Sequence, residues 1–326
     1  MSCFWLWLCH LVFPAVILTI TKMAKIDKPL YIAISLDIDP DANSAVEGRH
    51  DALSHPLKDD RVSIEACKMG LQKTFDLLNK YNIEATLFYE ARTAQMLIED
   101  GLDLPKLSER HEVSCHSLKH EDFLGKVSGL PMGKKSIEEV VVKAREILKK
   151  MFKREIKGFR APYTRINQPV VKVLERLGFK YDSSETVSFG AEWVGNPFPL
   201  EAYDSGLMEL ALPCFYDTKG EKMSSYLWAV FEGRRDFGEY IDAVLRVKDM
   251  ANGGLFIFST HPWHLYVDCT GRPFSEKQAR SNLQNLEQIL SHLSQVHGTQ
   301  IIRQDKYMEK WLVKQIPQSL QSDPVR

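Results

Sequence analysis

The chain is short of the features that place a protein quickly. Its 326 residues include six cysteines, at positions 3, 9, 67, 115, 214 and 269, and no two have C-x-x-C spacing. That excludes a zinc ribbon and offers no disulfide framework, so free thiols in a reducing, cytoplasmic setting are the plain reading. Positive charge is not in excess either. Lys and Arg number 42 against 43 Asp and Glu, a formal net charge of −1, which excludes a nucleic-acid binder held by a broad basic field. No fixed-period repeat is present, and no linker divides the body of the chain. A single apolar run approaches membrane-spanning length, from Cys3 to Ile20. It lacks the basic start and small-residue cleavage site of a secretory signal. The cations Lys22, Lys25 and Lys28 follow it, an order that would leave the rest of the chain in the cytosol. Two readings stand. Met23 opens M-A-K-I-D-K-P-L as an ordinary cytosolic start would, making residues 1–22 a disposable leader or an over-called start; membrane anchoring is the minority reading. The expected organisation is that leader, a catalytic body over 23–316 and a disordered polar tail over 317–326.

What is there is alternation. Strand-length apolar runs at 30–36, 85–89, 112–116, 156–160, 180–182, 207–212, 255–260 and 299–302 are interleaved with helical patterns at 64–81, 91–99, 137–152, 169–177, 237–251, 275–293 and 305–314. In the strongest of these, Val140, Val141, Ala144, Ile147, Leu148, Met151 and Phe152 make one stripe. The opposite face, with Lys143, Arg145, Lys149, Lys150, Lys153 and Arg154, reads as a solvated helix surface. The rhythm predicts βα units and a mainly parallel sheet, and their number predicts a distorted (β/α)7–8 barrel. Residues 183–235 break the pattern and read as long loops or an inserted hairpin.

The polar clusters fall at strand ends. Asp37 and Asp39 end the first strand, His116 and His120 the third, Arg160 to Tyr163 the fourth, Asp182 the fifth, and His261 the strand at 255–260. In a parallel barrel these ends share one rim, where active sites are built. Asp37 and Asp39, two apart on an extended chain, point to the same side. Carboxylates so close repel unless a cation lies among them. Asp41, after Pro40, reads as a turn residue. The spacing His116-Ser-Leu-Lys-His120 puts both imidazoles on one face of a helical turn. Asp39 completes a set of two nitrogens and one oxygen, the open three-ligand arrangement of a catalytic zinc-type site. Cys115 reads as a small core residue, and His50 and His55 as loop histidines. His264 is a rival to His261 for acid–base work.

These stretches, in this order, resemble the motifs of the polysaccharide deacetylases, the NodB-homology carbohydrate esterases. S-L-D-I-D-P at 35–40 stands where that family has T-F-D-D-G-P. H-S-L-K-H at 116–120 matches H-[ST]-x-x-H, and R-A-P-Y at 160–163 matches R-x-P-Y. Y-D-S-S at 181–184 stands for an Asp-containing segment, and F-S-T-H-P-W at 258–263 for L-x-H. The resemblance runs from about residue 30 to 302 and implies the roles. Asp39, His116 and His120 would hold the metal, Asp37 would be the general base and Arg160 would hold it ionised. His261 would be the general acid and the Tyr163 N–H an oxyanion donor beside Pro162. Trp263 and Leu212-Pro213 would shape the acyl pocket or sugar platform. The D-x-D spacing is similar to the branch containing intracellular peptidoglycan-deacetylase-like and allantoinase-like proteins, some of them homo-oligomers. Asp182 is the expected partner of His261, and Ser259 replaces the usual Leu. The resemblance therefore implies a metal-dependent hydrolase that removes an acetyl or other acyl group from an amide, by default an N-acetylated amino sugar. Zinc is the first-choice ion, with Co, Ni, Fe or Mn as alternatives. A cyclic-imide or allantoinase-like C–N hydrolase acting on a small amide, and a barrel that only binds a glycan, are the other readings.

Overall fold

The computed structural model describes residues 28–40, 47–50, 64–190, 192–200 and 205–315. The expectations for residues 1–22, Asp41, His55 and 317–326 lie outside that set. Along the chain run β1 (Leu30–Ile38), α1 (Glu65–Lys80), β2 (Thr86–Tyr89), α2 (Ala91–Glu99), the short α3 (Leu104–Leu107) and β3 (Glu112–Cys115). Then come α4 (Lys134–Phe152), β4 (Gly158–Phe159), α5 (Gln168–Arg176), β5 (Tyr181–Asp182), β6 (Thr186–Ser188), β7 (Phe198–Pro199), β8 (Met208–Glu209), β9 (Leu212–Tyr216) and β10 (Lys222–Ser224). The short α6 (Trp228–Phe231), α7 (Phe237–Val247), β11 (Leu255–Thr260), α8 (Glu276–Leu293), β12 (Thr299–Ile301) and α9 (Gln304–Gln315) complete the described chain. No described helix is long and apolar enough to cross a membrane.

The main sheet has the order β11-β1-β2-β3-β4-β5-β8-β7, parallel except for the β7–β8 pair, and β12 joins β1. β1 is the hub. β11 lies along one edge, while β12 pairs with residues 30–32 and β2 with residues 35–38. The sheet curls into a barrel with helices outside, the (β/α) architecture expected from the sequence. Its two ends, β7 and β11, share no ladder among the described residues. A hydrogen bond from the Leu255 N–H to the Gly195 carbonyl, 2.8 Å, spans the seam. Gly195 sits at φ +82°, and a Cβ there would lie 2.1 Å from the Leu255 oxygen, so this close approach requires glycine.

Strand alternation sorts the residues. On β1, Leu30, Ile32, Ile34, Leu36 and Ile38 join the large core beneath the helices. Tyr31 and Ala33 face the barrel interior with Phe88, Tyr181, Leu212 and Ile257. Ser35 and Asp37 continue that inward row toward the rim. Cys115 belongs to the outer core, as expected of a small apolar residue.

The irregular region contains a hairpin. The run expected at 207–212 divides between β8 and β9; β9 leaves the barrel and pairs antiparallel with β10 and parallel with β6. After β10, the Leu227 N–H donates to the Ser259 carbonyl, which brings Tyr226 alongside β11 at the rim.

Candidate active site

Asp37 is almost fully buried and its carboxylate is held at both ends. The Arg160 guanidinium donates to Oδ1 at 2.6 Å and the Tyr226 hydroxyl to Oδ2 at 2.6 Å. Arg160 is fully buried, with its other N–H groups on Ser35, Ser259 and Ser183 and its plane over the Phe88 ring at 4.1 Å. Burial by itself would push the Asp37 carboxyl up. The Arg160 charge, helped by the adjacent His116 and His261 rings and the Tyr226 hydrogen bond, outweighs it and holds the group at about 2. Asp37 is thus an ionised, aimed carboxylate.

The sequence H-S-L-K-H does not form a helical turn. His116 leaves the end of β3, and the chain reverses through Ser117 at φ +68° to His120 at φ +54°. Glu121 fastens this reversal. Its buried carboxylate accepts from the Ser117 hydroxyl and from the N–H groups of Leu118 and Lys119. The two rings still meet, edge to face, with centroids 5.2 Å apart. One donor atom from each of Asp39, His116 and His120 lies within 4.8 Å of the other two. His120 Nε2 stands 3.5 Å from Asp39 Oδ2.

The donor chemistry of this trio fits a divalent ion of the zinc type. His116 Nδ1 lies 2.9 Å from the Arg160 carbonyl, which can only accept, so Nδ1 carries the proton and Nε2 offers its lone pair. Burial holds both imidazoles below their ordinary range and keeps them neutral. His120 Nδ1 is buried with no hydrogen-bond partner among the described residues. The indole N–H of Trp263 donates to Asp39 Oδ1 at 2.8 Å, leaving Oδ2 toward the histidines. Trp263, expected as a substrate platform, thus orients the Asp39 carboxylate.

His261 lies opposite, with Nε2 3.9 Å from both Asp37 Oδ2 and Asp39 Oδ2. Its ring stacks on Tyr226 and touches Trp228 and Trp263. Burial lowers it to about 3, so the resting ring is neutral. Pro162 opens a tight turn that throws Tyr163 into the left-handed region, φ +59°, with its ring 4.5 Å from that of His120. These groups line one pocket of about 650 Å³, and Arg165, Lys222, Trp228, Arg235 and Cys269 form more of its wall.

Three further expectations need correction. Asp182 does not partner His261. The two-residue period of β5 sends Ser183 inward to Arg160 and Asp182 outward, where it meets Glu209 of β8 and accepts from Ser184. Leu212 does not line the pocket; it is packed into the barrel interior below it. His264 faces Glu232, 3.3 Å away, and stays behind Trp263. Sequence reading missed Tyr226, which lies in the irregular region without a motif; its only signal was the aromatic richness there. His50 makes no part of the pocket wall.

The comparisons agree with this geometry. Residues 62–181 match the model of the polysaccharide deacetylase family, a stretch that holds both histidines, Arg160 and Tyr163. Asp37, Asp39 and His261 flank the matched segment and reach the same rim through the sheet. A peptidoglycan deacetylase of Helicobacter pylori is 26% identical over 187 residues, covering 54% of this chain and 59% of that relative. The chain thus spans about three-fifths of the length of that protein. Among solved structures, a polysaccharide deacetylase-type protein from Mycobacterium smegmatis superposes with a TM-score of 0.63 at 16% identity, over 92% of this chain and 96% of that one. The Puue allantoinase superposes with a TM-score of 0.60 at 14% identity, over 88% and 91%. At these identities the two structures share the barrel fold.

Proposed function

We propose that the protein is a divalent-metal-dependent amide hydrolase that removes an acyl group, by default acetyl, from the nitrogen of an amino sugar or a related amide. The observation that carries this reading is a neutral His–His–carboxylate trio beside a second, ionised carboxylate in one pocket. Asp39, His116 and His120 would hold the ion, with zinc the first choice for this donor set. A bound ion would polarise the amide carbonyl and make water a stronger acid.

The chain's own groups do the rest. Asp37 takes the proton of the attacking water, since Arg160 and Tyr226 keep its carboxylate ionised and fixed. His261, neutral at rest with Nε2 3.9 Å from both carboxylates, receives the proton that Asp37 has taken from the water and delivers it to the departing nitrogen. The Tyr163 N–H, presented by the turn after Pro162, serves the oxygen of the tetrahedral species. Tyr226, Trp228 and Trp263 surround the reacting group and exclude water.

The test is acetate or ammonia release from a panel of N-acetylated sugars, small N-acyl amides, ureides and cyclic imides. Asp37→Asn is expected to keep the metal and lose about 10²- to 10⁴-fold in kcat, the span of a general base. Full activity in that variant would remove Asp37 from the role, and no hydrolysis of any amide would leave a binding barrel.

A further inference from the structure

The charges of the pocket wall are sorted by depth. Its two acids, Asp37 and Asp39, lie at the inner end, and both are engaged: Asp37 by Arg160 and Tyr226, Asp39 by Trp263 and the ligand trio. The three cations of the wall are Arg165, Lys222 and Arg235. Arg235 is neutralised inside the protein by Asp217 at 2.6 Å, Glu239 at 2.7 Å and Glu221 at 3.0 Å. Arg165 and Lys222 have no anionic partner among the described residues, and both are exposed at the pocket mouth.

Their placement is built rather than diffuse. Arg165 closes the R-A-P-Y turn, its N–H bonded to the Pro162 carbonyl, and its guanidinium sits 5.6 Å over the Tyr163 ring. That ring touches His120, so Arg165 stands one aromatic ring away from the ligand trio. Lys222 is on β10, the hairpin strand whose continuation carries Tyr226 to Asp37. Each cation is thus fixed to an element that also delivers a site residue, and the two reach the mouth from separate elements.

We infer that Arg165 and Lys222 form a subsite for an anionic substituent of the substrate, a carboxylate carried a few bonds from the amide that is cleaved. The substrate class becomes an acidic N-acyl amide rather than a neutral one. The inference rests on the amide-hydrolase reading of the same pocket. A guanidinium and an ammonium offer charge-assisted hydrogen bonds to such a group, and their field raises the capture rate of anions. The contact is half in water, so its effect falls with salt.

The experiment measures binding by calorimetry to metal-loaded Asp37→Asn protein, which separates it from turnover. The probes are two matched pairs, N-acetylmuramic acid and its methyl ester, and N-acetyl-β-alanine and its methyl ester. In at least one pair the acid is expected to bind about tenfold or more tightly than the ester, as two charge-assisted contacts allow. The preference should shrink in high salt and vanish in the Arg165→Gln, Lys222→Gln double variant, whose substitutions are exposed and spare the core. Equal affinity of acid and ester in both pairs overturns the subsite. So does a preference that survives the double substitution, or no binding of any probe at millimolar concentration. Acetate release by the wild-type protein is scored separately. Hydrolysis without charge preference removes the subsite and leaves the amide-hydrolase reading intact, whereas charge-selective binding without hydrolysis of any amide does the reverse.

Discussion

At the scale of single residues, the extra Ile38 between the two acids has a plain physical account. Ile38 points outward and is fully buried in the core under the helices, while Asp37 and Asp39 flank it on the site side. A D-x-D pair on a strand thus turns both carboxylates to one face, with the intervening residue serving the other face. That much was legible in the sequence, because a period of two needs no tertiary information. The same period explains the error at Asp182, since one residue along β5 separates the inward Ser183 from the outward Asp182. Hydrogen bonds between distant segments were not legible. Trp263 reaches Asp39 across 224 positions of sequence. Trp263→Phe keeps the ring and deletes the donor. It is expected to weaken metal affinity about 10- to 100-fold, as loss of a ligand-orienting contact does, measured by competition against a chromogenic chelator. Unchanged affinity would show that Trp263 serves only the pocket wall.

At the scale of elements, strands and long helices were readable from periodicity, and turns were not. The run at 116–120 is the clearest case. Histidines four apart suit a helix, yet the chain takes two left-handed steps that Glu121 holds in place, and it still brings the rings together. The loop after β11 is placed by packing. α1 lies against residues 262–265 at Gly70, where a Cβ would stand 1.9 Å from the Pro262 carbonyl oxygen. Alanine gains about 1 kcal/mol of helix propensity over glycine, while overpacking at a rigid backbone contact costs about 1–3 kcal/mol. The second effect should win. Gly70→Ala is expected to lower stability and to displace the loop that carries His261 and Trp263, so that hydrolysis falls further than the folded fraction does. Denaturant unfolding and activity measured on the same preparation check this, and a stabilised, fully active variant would contradict it.

At the scale of the whole molecule, the barrel interior is layered. Below the site lies the apolar layer of Tyr31, Ala33 and Ile257, and near the opposite end a buried carboxyl, Glu112. Glu112 accepts from Tyr181, Thr86 and Ser114 and from the N–H of Asp305 at the start of α9, so it ties the last helix to the barrel floor. Burial, with repulsion from Asp305, raises it from 4.5 to about 7. The folded state then holds this proton where the unfolded chain has released it, so Glu112 favours folding below that window and opposes it as pH rises. Glu112→Gln, a neutral acceptor of the same shape, is expected to gain stability relative to the wild type as pH rises through that range. Denaturant midpoints at several pH values test this, and a difference independent of pH would show that the carboxyl does not titrate on unfolding. Composition and alternation made the barrel readable, whereas its open seam at Gly195 and Leu255 depends on a backbone approach that no sequence period encodes.

Everything proposed for the site depends on one divalent ion held by Asp39, His116 and His120 together. Metal content after purification without chelator and reconstitution with zinc tests it most directly, with wild type and an Asp39→Ala, His116→Ala double variant side by side. About one equivalent in the wild type and almost none in the folded variant is the predicted result. Equal content in both, or a wild type that takes up no zinc, would contradict it.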